Sequence, residues 1–220
     1  MRFAIMCETF LSKDILKTFA SCALALSALL FTGVAARSEV ARETIVFIRH
    51  GKKPEAGLGQ LSCQGLNRAL ALPAVISNTF GKPDAIFAPD PAVQKADGGE
   101  AYDYVRPLAT VEPTAILFGL PVNTSFGFAD KAGLQAALET KLSAHRDALI
   151  LVAWEHNIIV AVAKALLADY GGDPAVVPKW QGDDFDSIYV VVLTATGDTV
   201  KASFERKQEN LNGQLQTCPH

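Results

Sequence analysis

The chain is poor in cysteine and has no marked excess of either charge: four cysteines in 220 residues, with 20 Lys and Arg against 23 Asp and Glu. No stripe of Lys and Arg rises above that mild acidic background, so nothing in the composition attracts a polyanion, and nucleic acid is excluded as a partner. Cys7 and Cys22 fall in the first 36 residues, and the other two, Cys63 and Cys218, are spaced too far apart for a zinc site made by cysteines alone. There is no internal repeat and no low-complexity tract. An uninterrupted apolar run of the ~20 residues needed for a comfortable membrane span is also missing.

What is present begins with a short apolar run. Lys13 and Lys17 precede Phe19 to Phe31, and the small residues of Thr32-Gly33-Val34-Ala35-Ala36 follow, the layout of a signal peptide. Residues 1–36 are therefore expected to be removed after Ala36, with an uncleaved anchor as the alternative. Cys22 precedes most of the apolar run instead of following it, which argues against lipidation. The mature chain, residues 37–220, is expected to be one secreted or periplasmic α/β domain with no stable membrane insertion after cleavage. It keeps 17 basic and 21 acidic residues, a net charge of −4. Two cysteines in an exported protein can pair, and the sequence leaves a Cys63–Cys218 disulfide and two free thiols equally open.

Apolar, β-branched runs bounded by turn residues predict strands at Thr44 to Ile48, Asp84 to Ala88, Ala148 to Trp154, Ser187 to Leu193 and Val200 to Phe204. Helices are predicted at Ser62 to Phe80 with Ser62 as N-cap, Asp103 to Phe118, Ala129 to His145 and Asn157 to Tyr170. Pro73, Pro107 and Pro113 should make the first two irregular or broken. Ala88 to Asp103 and Pro121 to Phe128 read as loops. A fully apolar strand such as Leu149 to Ala153 implies a sheet covered on both faces. The expected architecture is a three-layer α/β/α sandwich around a central, mostly parallel sheet.

Chemistry concentrates at strand ends. Arg49-His50-Gly51 directly follows Thr44 to Ile48, placing a fixed cation and a histidine where α/β proteins receive anionic ligands. Leu61-Ser62-Cys63-Gln64-Gly65-Leu66-Asn67-Arg68-Ala69 comes next, Tyr104-Val105-Arg106-Pro107-Leu108-Ala109-Thr110 supplies a second arginine, and Trp154-Glu155-His156 ends another apolar strand. In this order and spacing, the four elements resemble the histidine phosphatase superfamily, the phosphoglycerate-mutase-like proteins, over roughly the whole mature chain.

The resemblance implies a phosphoglycerate-mutase-like fold and assigns His50 as the nucleophile that becomes a phosphohistidine. Arg49 and Arg106 would neutralise the transferring phosphoryl group, His156 would hydrogen-bond its oxygens, and Gly51 would let backbone approach it. Tyr104-Val105-Arg106-Pro107 departs from the usual Ser-x-x-x-Arg-Ala of the family. Arg68 competes for the second arginine role, although a solvated helix position is expected for it. The proton for the leaving group is expected from Glu155, then Asp90, then Asp130, because Asn157 stands where some relatives carry an acidic residue after the late histidine.

Lys52 and Lys53 read as solvated, and so do His145 and His220. Asp183-Asp184-Phe185-Asp186 reads as a polar lead-in to a strand, since it lacks the glycine and glutamate of a calcium loop. No metal or cofactor is expected. The function expected is an exported phosphomonoesterase acting on a phosphorylated small molecule, with a non-catalytic phosphate-binding or interaction domain as the alternative.

Overall fold

A computed structural model describes residues 40–142 and 147–219 of the chain. The expected signal peptide, His145 and His220 lie outside the described residues. Eight strands and four α-helices follow one another along the rest. Strand β1, Val40–Arg49, leads into helix α1, Cys63–Thr79, then β2, Ala85–Phe87. A small hairpin of β3, Lys95–Asp97, and β4, Glu100–Tyr102, precedes α2, Arg106–Phe118. Next come β5, Val122–Asn123, α3, Lys131–Leu142, β6, Ala148–Trp154, and α4, His156–Asp169. Long strands β7, Ser187–Thr196, and β8, Thr199–Gln208, close the chain.

The central sheet has the order β5-β2-β6-β1-β7-β8. Its first four strands are parallel, and β7 and β8 add an antiparallel edge. Alternation along β1 and β6 divides the core. Ile45, Phe47, Ile150, Val152 and Trp154 pack with α3 and α4 through Leu134, Leu138, Ile159, Val162 and Leu166. Val46, Ile48, Leu151 and Ala153 pack with α1 and α2 through Leu72, Ile76, Val111 and Ala115. A strand apolar at every position is buried on both faces in this way, and the expected three-layer sandwich results.

That arrangement also fixes where a ligand can bind. β1 and β6 are adjacent and parallel, with Arg49 in register with Trp154, yet the helices that follow them cover opposite faces of the sheet. Chains leaving neighbouring strand ends in opposite directions open a crevice between them.

Three expectations need correction. Pro73 and Pro113 lie inside continuous helices and break neither; the buried faces that α1 and α2 present to the sheet and to each other outweigh a lost backbone bond in each. Ala88 to Asp103 holds the β3–β4 hairpin. Gly98 and Gly99, both at positive φ, form its two-residue turn, a conformation that a side chain disfavours. The third is β5, a two-residue strand beside β2 inside the expected Pro121 to Phe128 loop.

The termini of the helices follow their local chemistry. Ser62 caps α1 by accepting from the Gly65 amide at 3.2 Å. Glu155 caps α4, and Gly119 ends α2 with φ of 64°. Cys63, in the first turn of α1, is disulfide-bonded to Cys218 with Cα atoms 4.5 Å apart. Gln64 and Asn67 of the same helix donate to the carbonyls of Gln214, Leu215 and Thr217, so the C-terminal tail runs along the start of α1. No helix among the described residues is long and apolar enough to cross a membrane.

Candidate active site

His50 leaves the end of β1 with its amide donating to the Trp154 carbonyl at 3.2 Å, which continues the β1–β6 ladder by one bond. Its Nδ1 lies 2.8 Å from the Gly51 carbonyl oxygen. A carbonyl can only accept, so the proton sits on Nδ1 and Nε2 carries the lone pair. Burial lowers the His50 pKa well below its ordinary value of 6.5, against the Gly51 hydrogen bond and with the charges of Arg106, Arg49 and Arg68. The imidazole is therefore neutral and in a defined tautomer at neutral pH.

Gly51 is required by space. A Cβ there would stand 2.9 Å from Leu61 Cδ2 and 3.0 Å from the Gly65 carbonyl oxygen. Opposite it, Gly65 has no room for a Cβ because the Lys52 carbonyl occupies that position. The loop after β1 thus lies directly on the first turn of α1. The Gly51 amide donates to Thr110 Oγ1 at 2.8 Å, and that hydroxyl donates to the Arg106 carbonyl at 2.7 Å, coupling the His50 loop to the start of α2.

Three buried arginines surround this histidine electrostatically. Arg49 commits Nη1 to the carbonyls of Gly182 at 2.8 Å, Asp184 at 3.0 Å and Gln181 at 3.4 Å. Its guanidinium stacks 3.9 Å from the Phe185 ring centroid. Arg106 pairs through Nη1 with Asp97 and lies over the Tyr104 ring. Arg68 corrects an expectation, because it is 3 % exposed rather than solvated. Its Nε donates to Glu209 at 2.7 Å and its Nη2 to the Arg49 carbonyl at 3.0 Å.

Each of these arginines nevertheless keeps one donor unused. Arg49 Nε, Arg106 Nε and Arg68 Nη1 are buried without an acceptor, and so is the hydroxyl of Tyr104. The Tyr104 ring meets the His50 ring edge-on at 5.9 Å. Burying a donor without a partner costs on the order of 1–3 kcal/mol. The four donors belong to three arginines whose charges act on one neutral histidine and to the tyrosine that meets its ring, a combination that suits a multiply charged oxyanion.

The carboxylates behave differently from expectation. Glu155 Oε2 accepts from the amides of Asn157 at 2.9 Å and Ile158 at 3.1 Å, while Oε1 accepts from Asn157 Nδ2 at 2.9 Å. His156 Nδ1 stands 2.7 Å from Oε1, close enough for an ion pair but outside hydrogen-bond angles. Burial pushes the Glu155 carboxyl up, yet His156 and the two amides outweigh it and hold the pKa at about 2. The geometry makes Glu155 an ionised helix cap, with no proton to give at neutral pH. Asp90 accepts from the Ala92 amide in a turn, and Asp130 accepts from the Gly133 amide at the start of α3.

Sequence reasoning missed Asp97, Lys95 and Tyr104. Asp97 is buried and takes Lys53 and Arg106 at once; burial opposes its ionisation, but those two partners keep its pKa below the usual value. Lys53 thereby gains a partner instead of being only solvated. Lys95 Nζ lies 4.3 Å from the Phe128 ring centroid and 5.4 Å from that of Tyr104. The Gly98-Gly99 pair was the signal that could have placed Lys95 and Asp97 on a hairpin. Asp184 receives the amides of Asp186 and Ser187, and Asp186 those of Asn210 and Leu211, so the acidic segment caps the start of β7.

No protein-family profile matches the chain, and no curated protein matches it. Solved structures do. A SixA protein histidine phosphatase complexed with tungstate aligns with a TM-score of 0.50 at 14 % identity, covering 76 % of this chain and 97 % of that one. A SixA phosphohistidine phosphatase from Nakamurella multipartitia gives 0.49 at 15 % identity over 76 % and 96 %. Phosphoglycerate mutase from Plasmodium falciparum gives 0.49 at 13 % identity over 75 % and 89 %. The chain has the fold of the SixA structure, a three-layer sandwich around a mostly parallel sheet.

Proposed function

We propose that the protein is a phosphomonoesterase that hydrolyses a phosphorylated small molecule through a phosphohistidine on His50. The observation that carries this reading is the set of four buried, acceptorless donors, Arg49 Nε, Arg68 Nη1, Arg106 Nε and the Tyr104 hydroxyl, around a histidine whose tautomer leaves Nε2 free to attack. Attack on phosphorus forms the Nε2–P bond and breaks the ester P–O bond. Water then displaces the histidine and releases phosphate. The arginines stabilise charge on the equatorial oxygens in both halves, which is where most of the catalysis of phosphoryl transfer resides.

His156 follows β6, the parallel neighbour of β1, and is assigned to the phosphoryl oxygens. Gly51 allows the close approach of the loop. Tungstate, the ion in the SixA complex of the same fold, is expected to compete with substrate. Export with loss of residues 1–36 is part of the proposal, and the Cys63–Cys218 disulfide supports an oxidising compartment.

A second reading, a phosphate-binding domain without turnover, is favoured by one observation: Glu155, Asp90 and Asp130 are all engaged as caps. The deciding experiment is acid-quench trapping with a labelled aryl phosphate. Label on His50, absent in His50→Ala, supports the enzyme; saturable tungstate binding with no labelled protein supports the binding domain.

A further inference from the structure

The inference here rests on the phosphatase reading and concerns its proton donor. An alkoxide leaving group needs a proton. Burial pushes the Glu209 carboxyl up to about 7, but both of its oxygens are taken by Arg68. Glu155 is an ionised cap at about 2, and Asp97 is fixed between Lys53 and Arg106. Asp90 and Asp130 close turns and helix starts. Lys52 Nζ and the His50 ring lie 5.9 Å and 6.1 Å from the Phe185 centroid, but Lys95 packs against two rings, Phe128 and Tyr104. Its Nζ and the His50 ring lie 5.4 Å and 5.9 Å from the centroid of the same Tyr104 ring. An ester with phosphorus about 3–3.5 Å from Nε2 at attack directs its leaving oxygen away from the histidine.

We propose that Lys95 is the general acid, donating an Nζ proton to the leaving oxygen. In the first half-reaction the Nε2–P bond forms, the P–O ester bond breaks, and the Lys95 proton converts the departing alkoxide to an alcohol. In the second, water attacks phosphorus, the P–Nε2 bond breaks, and the neutral Lys95 amine takes the proton that water loses. Ester and water give alcohol and phosphate, with Lys95 returned to its charged form.

The surroundings of Lys95 suit a donor that is less basic than a solvated lysine. Burial pushes its pKa down, Glu155 and Asp97 push it up, and Arg106 and Lys53 push it down. The faces of Phe128 and Tyr104 favour the ammonium, so it enters the reaction charged. An amine tuned from its ordinary range toward working pH is a better acid and a better returning base.

The test compares Lys95→Met and Lys95→Arg with the wild type on phosphate esters running from an activated aryl phosphate to a simple alkyl phosphate. Arginine preserves the charge but does not release its proton. In single turnovers both variants should form phosphoenzyme from the aryl ester near the wild-type rate and from the alkyl ester about 100-fold more slowly, the lower end for a lost proton transfer. The alkaline fall of kcat on the alkyl ester should disappear in both, and thermal melts should show that both fold.

Restoration of alkyl hydrolysis by Lys95→Arg would overturn the proposal by showing that charge alone is needed. An equal loss of phosphoenzyme formation from aryl and alkyl esters would also overturn it, as would a wild type confined to aryl esters. If the wild type forms no phosphoenzyme, the phosphatase reading falls first. Phosphoenzyme in the wild type with Lys95 variants indifferent to leaving group would refute this inference alone.

Discussion

Replacing Glu155 with Gln separates two roles that one carboxylate cannot fill together. As an ionised cap with a pKa of about 2 against an ordinary 4.5, Glu155 contributes roughly 3 kcal/mol at neutral pH if the whole shift expresses folded-state stabilisation. The amide oxygen of Gln still caps the Asn157 and Ile158 amides, and a cap alone is worth about 1 kcal/mol. Glu155→Gln should therefore cost about 1–3 kcal/mol in urea unfolding at neutral pH. Because the folded pKa is depressed, this contribution is fully present above the ordinary 4.5 and is lost as pH falls from there through about 2. The gap between wild type and variant should close over that window. A gap that is absent at neutral pH, or unchanged near pH 2, would refute the cap assignment. A variant as stable as wild type but selectively slow on alkyl esters would restore Glu155 as the proton donor.

His50→Ala should abolish hydrolysis of an aryl phosphate while leaving the melting temperature close to wild type, and persistent turnover would remove the nucleophile assignment. Since burial lowers the His50 pKa well below 6.5, kcat/KM corrected for substrate titration should stay level as pH falls through that value; a drop centred there would mean a solvated histidine. Gly51→Ala should destabilise and inactivate together, because its Cβ would meet Leu61 and the Gly65 backbone, and a fully active variant would show that the loop yields easily. Cys63→Ser should lower stability by up to about 5 kcal/mol, the chain-entropy figure for a closed segment of 155 residues, checked by denaturation with and without reductant.

The fold was readable where a local pattern carried it. Ala148 to Trp154 is apolar throughout and forms β6 with those bounds, and Ser62 announces the start of α1 through its side chain. Strands β3 and β5, three and two residues long, hold too few residues for periodicity to register. The His50 loop was legible because its motif lies in consecutive residues. Its supports were not: Arg68 meets Glu209 across 141 residues, and a helix arginine looks the same in sequence whether it faces solvent or a distant carboxylate. Glu155 was misread for a related reason, since strand alternation says nothing about a carboxylate that turns onto the next helix.

Arg49 holds the chain at Gln181, Gly182 and Asp184 by their carbonyl oxygens alone. Every amino acid supplies that atom, so this grip is blind to spelling. The stretch can change its side chain at Gln181 while its path stays fixed by the guanidinium, which also stacks on Phe185. Sequence at Gln181 can thus drift among descendants of this chain while the segment keeps its place, provided Arg49 and Phe185 are kept.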